Sequence, residues 1–502
     1  MSLDLLHKLE KVSLFFLIIF LPISSLPQRF SILLLGSNLS CYFLLVGILL
    51  SIYEYIKFRY KINKNFMVYF IVYICWQIIC LVLGLFFYEY NEYLYIEQSP
   101  KLYLLVNYVA SHGIIINELL SLKIWMFFKF LKDIIFFNNQ ALVLAFFVWH
   151  LYNDDWRKGF NDIRKAVIVL LFLMGTYSFI ELLWLKMYIP FAELFLKKIN
   201  VLLYDPGSSH GWWPPLLWWG QLRSLCHEPS YFGIISIMCL PLIWSYLFRE
   251  KYKISSCLLV TYYGLMIAAT NARTAIIVTM GQFLLLVLLT AFLKKKDWIK
   301  PVATIFLCMI LGFGANLINI KALIWNRDIN VADDLSKYTE NNIVSVTKKD
   351  SRSNSARLAN MIANYETIKD YPVFGVGTGL KDAYMDARLP EFSYSNYEVR
   401  TWSRYMHNKG VLRSGYPALN KYLDVAVKNG LVGLLLYLIP ILYLIYEFFK
   451  LKRKGTMDYR NVAAFVSFIG LLVAQLSNAD LIICNGITWG LMWCIVASNK
   501  IS

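Results

Sequence analysis

Charge is scarce in this sequence. Only 16% of its 502 residues are Asp, Glu, Lys or Arg, where a soluble globular chain carries roughly 25%, so an ordinary soluble enzyme is excluded. Metal and redox patterns are missing as well. The nine cysteines include no CxxC pair and no ligand spacing with histidine. Most lie in apolar runs, where a thiol acts as a small apolar side chain. His210, His227 and His407 show no mutual metal spacing, so no disulfide framework, metal or cofactor is expected. No internal repeat is visible, which weakens a transporter reading, because transporters often show interrupted helices in matched halves. The run Gly375-Val-Gly377-Thr-Gly379 has no strand or βαβ unit around it, so it predicts a tight turn rather than a nucleotide loop.

What the chain does have is apolar length: 58% of it is hydrophobic and 17% aromatic. Pro229 to Phe248, Thr274 to Leu293 and Pro301 to Ile320 each run twenty residues without a charge, and Asn65 to Tyr88 runs twenty-four. About 20 apolar residues span a bilayer core. The expected fold class is therefore an all-α polytopic membrane protein. The net charge of +17 would suggest nucleic acid on a soluble protein. Here it gathers in short clusters between the apolar runs: Lys57-Arg59-Lys61-Lys64, Arg249-Lys251-Lys253, Lys294-Lys295-Lys296-Lys300 and Lys450-Lys452-Arg453-Lys454. Such clusters mark cytoplasmic loops, and nucleic acid is not an expected partner.

Alternation of these clusters gives about twelve spans. Two fall between Val12 and Tyr53, one near Asn65 to Tyr88, one near Asp133 to Leu151 behind an interfacial helix, and one near Ala166 to Leu185. Four more follow at about 229–248, 254–271, 274–293 and 299–319, and three at about 430–448, 461–478 and 480–498. The organisation read from this is spans one to nine in residues 1–319, with a short outer loop at about 187–227. A large outer loop follows at 320–420, and spans ten to twelve lie in 421–502.

Ionisable residues beside membrane spans are costly and usually functional. Three places stand out: Arg223 to Ser230 entering a span with His227-Glu228-Pro229, Arg273 between two apolar runs, and Arg352 with Arg357 in the large loop. Arginine holds phosphate oxygens bidentately and keeps its charge, so several arginines at one outer interface suit a lipid-linked diphosphate. Plainer readings stand beside these. Arg273 can be a turn residue at the headgroup level, Glu228 a helix start favoured by the dipole, and Arg352 with Arg357 a solvated helix face. Trp212-Trp213 and Trp218-Trp219 read as an interface belt, with sugar stacking as the alternative.

The order of these elements resembles the O-antigen polymerase and ligase superfamily of bacterial envelope glycosyltransferases. The resemblance rests on Arg223 to Ser230 and on Arg273, which follows Ala272 where the family has serine. It continues with Arg357 and Tyr371-Pro372 through Gly379, then Asn420-Lys-Tyr422 through Gly433. It covers about Arg223 to Gly433; elsewhere only hydropathy agrees. The resemblance implies a GT-C-like helical fold in the bacterial inner membrane, with the large loop periplasmic and the active site on that face. It implies an O-antigen polymerase that joins undecaprenyl-diphosphate-linked oligosaccharide repeat units, donor and acceptor alike, without metal. Membrane lipid and a chain-length regulator protein are the further partners it suggests. The alternatives are an O-antigen ligase transferring polysaccharide to lipid A-core, and a non-enzymatic transporter. Ligases of the superfamily carry histidine directly before the asparagine of the exit motif, and here that position is Leu419, with His407-Asn408 upstream. The catalytic residues so implied are Arg223, Glu228, Arg273 and Arg357, with His227, Arg352, Asn420 and Tyr422 binding substrate.

Overall fold

The computed structural model describes residues 2–32, 36–59, 63–114, 116–204, 214–248, 253–318, 352–413, 416–453, 455, 457–478 and 481–501. Among them no β-strand forms, only an isolated bridge between Ile32 and Gly36. The first helices are α1 (Leu3–Ile19), α2 (Leu39–Phe58), α3 (Lys64–Phe86) and α4 (Pro100–Ser111). Then come α5 (Glu118–Asn138), which a single π-turn joins to α6 (Leu144–Tyr152), α7 (Trp156–Met187) and α8 (Pro190–Leu203). The central group is α9 (Pro229–Trp244), α10 (Lys253–Thr270), α11 (Arg273–Phe292) and α12 (Ile299–Leu317). The polar segment after α12 contributes α13 (Arg352–Asp370), α14 (Lys381–Asp386) and α15 (Tyr397–Lys409), followed by α16 (Lys421–Arg453), α17 (Tyr459–Ala474) and α18 (Ile482–Ile501).

This is a polytopic membrane protein. Eight helical segments among the described residues are long and apolar enough to cross a membrane: α2, α3, joined α5–α6, α7, α9 with its closing turn, α11, α12 and α16. The helices α10, α17 and α18 are shorter and also apolar. The remaining expected span falls on α1, whose first half carries Lys8, Glu10 and Lys11.

One expectation needs correcting. The interfacial helix placed before Asp133 is instead the first half of one continuous 35-residue helix, Glu118–Tyr152. No proline or glycine interrupts that sequence, so nothing ends the helix at Asp133. Its charged half has other work. Leu122, Met126, Phe130 and Ile134 form a four-residue-spaced stripe in a second hydrophobic core shared with α13, α14 and α15, while Lys129 donates to Leu412 O at 2.7 Å.

The main core is built around α9, of which 83% is enclosed by other helices. Pro241 lies inside α9 and has no N–H to give, which frees the carbonyl of Ile237 four residues back. Gln282 of α11 answers it, donating from Nε2 to Ile237 O at 2.9 Å and to Val466 O of α17 at 3.2 Å. Ser467 of α17 donates to Met238 O at 2.7 Å. A buried proline thus becomes the point where three helices are tied, the way membrane proteins satisfy backbone freed at depth.

The helices α13 to α15 dock on the start of α16. Gly375, Gly377 and Gly379 all have positive φ, at 65°, 87° and 82°, so the run is the tight turn its sequence predicts. It lays Val376 N on Val427 O at 2.8 Å and Gly377 N on Lys428 O at 3.0 Å. Opposite it, Gly430 breaks the helical path of α16 at φ 68°; a Cβ there would come within 1.8 Å of Val373 O. Buried Asp424 completes the joint, meeting Lys428 of its own helix at 2.7 Å and Lys381 of α14 at 3.2 Å.

Candidate active site

Asn271 and Ala272 turn the chain between α10 and α11. Asn271 sits at φ 50°, a left-handed conformation asparagine tolerates better than most residues. Its side chain donates to Gly220 O at 2.9 Å, and Leu222 N donates to Ala269 O at 2.9 Å. The turn is thereby stitched to the segment that leads into α9. Gly233 then lets the first turns of α9 and α11 touch, since a Cβ there would lie 2.6 Å from that of Ala275. Two helix starts, Pro229 and Arg273, stand side by side with their positive dipole ends together.

Above these starts lies a cavity of about 640 Å³. Helix α13 covers it with Asn354, Arg357, Leu358 and Met361, a spacing that places all four on one helical face. The end of α17 adds Val473, Leu476 and Ser477, and the segment before α9 adds Trp218, Gln221 and Glu228. Polar groups occupy the first turns of α9 and α11, whereas Ile234, Ile237, Ile277 and Val278 line the same helices further in. From Ser230 to Ile237 a helix descends about 10 Å at its 1.5 Å rise per residue. The cavity therefore passes from a charged end to apolar walls.

Arg273 donates from Nη1 to Asn354 Oδ1 at 3.2 Å, and Arg357 from Nη1 to Ser477 O at 2.8 Å. Thr274 and Ser477 hydroxyls lie 2.9 Å apart. Burial first, then neighbouring Arg273, push the Arg357 guanidinium below its usual range, while Glu228 and Glu398 oppose that shift. Glu228 accepts a hydrogen bond from Ser230 Oγ. Two guanidiniums and one carboxylate thus share one half-buried space, a set suited to an anion with more than one oxygen.

Four of the other predicted residues, Arg223, His227, Asn420 and Tyr422, sit elsewhere, and the side chain of Arg352 lies outside the described residues. Arg223 is only 1% exposed and is absent from the cavity wall. Its guanidinium donates to Pro215 O at 2.9 Å, Leu216 O at 2.7 Å, His227 O at 3.3 Å and the Tyr204 hydroxyl. Glu181 at the end of α7 takes the backbone N–H of Ser224 at 2.7 Å, holding Ser224 at φ 56°. His227 turns toward Ser24, with Nδ1 and Oγ 3.1 Å apart. Burial and then Arg223 push its imidazole down to about 4, so at neutral pH it is uncharged. Arg352 begins α13. Asn420 caps α16 by accepting from Tyr422 N and Leu423 N, and the Tyr422 hydroxyl donates to Leu472 O at 2.8 Å. Among the eight, Glu228, Arg273 and Arg357 line the cavity. Trp212, Trp213 and His210 fall outside the described residues, and His407 lies 3.2 Å from Asp386.

Sequence reasoning missed Asn354 and Ser477. Asn354 carried a signal, its spacing of three from Arg357 on one helix; Ser477 carried none. Leu419 also lines the cavity.

The fold and the cavity define a polytopic helical membrane protein with a cationic, half-apolar chamber covered by the helix α13. The family model described as O-antigen ligase matches residues 257–438, from α10 to the middle of α16 and across Arg273 and Arg357. The match covers only part of the chain and is consistent with the O-antigen polymerase and ligase family of glycosyltransferase-like enzymes. No curated protein matches the chain.

Proposed function

We propose that this protein is an O-antigen polymerase of the bacterial inner membrane, working on the periplasmic face. The observation that carries the proposal is the meeting of Arg273, Arg357 and Glu228 at the polar end of a cavity with apolar walls. A lipid diphosphate bearing an oligosaccharide has that same division, a doubly charged head on an apolar chain. The acceptor hydroxyl attacks the anomeric carbon of the donor sugar, and the bond from that carbon to the diphosphate oxygen breaks. Charge develops on the leaving oxygen, where fixed guanidiniums in a shielded site act most strongly. The hydroxyl proton passes to Glu228, the carboxylate on the cavity wall. Donor and acceptor are both undecaprenyl-diphosphate-linked repeat units in this reading, and a chain-length regulator is the partner that would set when extension stops.

Leu419 supports polymerase over ligase. An aliphatic side chain cannot take a proton from an acceptor, so the position at which ligases hold histidine offers no base here. Purified protein given only one lipid-diphosphate-linked repeat unit is expected to make products of many repeats, with no lipid A-core present and with chelator added. Transfer that occurs solely when lipid A-core is supplied would make the enzyme a ligase.

Topology is testable separately. The helices α13 to α15 belong to the periplasmic side in this proposal, and the basic cluster at Lys294 to Lys296 to the cytoplasmic side. A phosphatase reporter fused near Lys348 is expected to be active and one fused near Lys295 silent. Reversed activities would place the cavity on the wrong face of the membrane.

A further inference from the structure

The end of the bundle away from the cavity holds a second group of charged side chains. His7 and Glu10 stand one turn apart on α1, so they share a face. Glu54 comes from the last turns of α2 and His150 from the end of α6. Each offers one ligand atom, and the four atoms all lie within 4.8 Å of one another. His7 Nε2 is 3.0 Å from Glu54 Oε1, and His150 Nε2 is 3.6 Å from Glu54 Oε2. Both glutamates are fully buried, at 0% exposure.

Three of the inward atoms are left over. Glu10 Oε2, Glu54 Oε2 and His150 Nε2 are buried and have no hydrogen-bond partner among the described residues. Two of the neighbouring atoms are already held from behind. Ser51 donates to Glu10 Oε1 at 2.7 Å, and the Tyr55 hydroxyl lies 3.3 Å from His150 Nδ1. That second contact leaves His150 Nε2 turned inward, the arrangement by which metal sites orient their histidines. Two carboxylates buried side by side repel each other, and a dication placed between them would cancel that charge.

We propose that His7, Glu10, Glu54 and His150 form a divalent metal site that pins α1 to α2 and α6, with zinc the ion best suited. Two imidazoles and two carboxylates are a donor set zinc accepts in four-coordinate geometry. Ligand atoms about 2 Å from a tetrahedral zinc stand about 3.3 Å from one another. Here one atom from each residue lies within 4.8 Å of the other three, and the two histidines approach different oxygens of Glu54 at 3.0 and 3.6 Å, so small side-chain rotations would close the four around an ion. The His7 side chain is 38% exposed, which gives the ion a route in from the surface. The site is a structural clamp, at the opposite end of α1 from the Ser24 contact to His227. It holds none of the groups that line the cavity, so removing the ion acts on stability and not on the transfer step.

The test uses full-length protein in detergent, dialysed against chelator and then given zinc or cobalt alone. One zinc per chain is expected by elemental mass spectrometry, with a rise in the thermal midpoint. Cobalt is expected to give the intense visible absorption of a tetrahedral site. Glu54→Gln keeps shape but removes charge, and His7→Ala removes the exposed ligand. Each should weaken zinc binding more than about tenfold and abolish the thermal response. If Glu54→Gln does not fold, His7→Ala carries the test. Monodisperse wild-type protein that retains no zinc and shows no cobalt band would overturn the proposal, and the two glutamates would then be sharing a proton.

Discussion

Replacing Arg273 with alanine is expected to abolish chain extension while leaving the protein folded in the membrane. Arg273 opens α11 beside the start of α9, and its guanidinium reaches Asn354 across the cavity. The residue is half-buried, and Asn354 belongs to the covering helix rather than to the core ties at Gln282 and Ser467. Losing one preorganised donor at a developing oxyanion costs about a hundred- to a thousandfold in rate, about 2.7–4 kcal/mol. Arg273→Lys is the sharper variant. Lysine restores the charge but not the planar fork that grips two phosphate oxygens, so it should recover little of the lost rate. The assay is repeat-unit extension by purified protein, with size-exclusion profile and thermal midpoint as controls for folding. Full product ladders from the lysine variant would return Arg273 to the role of a headgroup anchor.

The apolar runs and basic clusters are enough to place most of the helices, because both signals are local. Gly375 to Gly379 can be read as a turn for the same reason. Sequence fails where the determining contact is distant. Glu118 to Tyr152 reads as an interfacial helix followed by a span, whereas its first half packs on a second core completed by residues far later in the chain. Nothing around Pro241 names the partner of the carbonyl it frees; only the fold shows Gln282 answering it. The candidate site divides along the same line. Arg273 stands out because a charge between two apolar runs is costly wherever it points. Ser477, an ordinary serine at the end of an apolar helix, gains meaning only when Arg357 donates to its carbonyl. Metal spacing between histidines is a test along the chain, and it cannot see His7 and His150, which meet across helices.

Arg223→Ala is expected to lower stability first and activity only as a consequence. Its motif suggests a hand on the diphosphate, yet the side chain is enclosed and its donors are committed to Pro215, Leu216, His227 and Tyr204. These contacts fasten the segment that carries Trp218, Gln221 and Glu228 to the cavity wall. Removing the guanidinium leaves the Tyr204 hydroxyl and three enclosed carbonyls without their donor, at about 1–3 kcal/mol for each group left unsatisfied. The Glu181 carboxylate keeps its backbone N–H donors but loses the positive charge beside it. The thermal midpoint of Arg223→Ala should therefore fall by several degrees, whereas that of Arg273→Ala should stay near wild type. Arg223→Lys separates the two roles further. An ammonium has too short a spread of donors to serve three carbonyls and a hydroxyl at once, so the lysine variant should be destabilised despite keeping its charge. Arg223→Ala protein that unfolds at the wild-type temperature yet fails to extend chains would put Arg223 back on the substrate. It would then require the segment from Pro214 to Glu228 to rearrange when the lipid diphosphate binds.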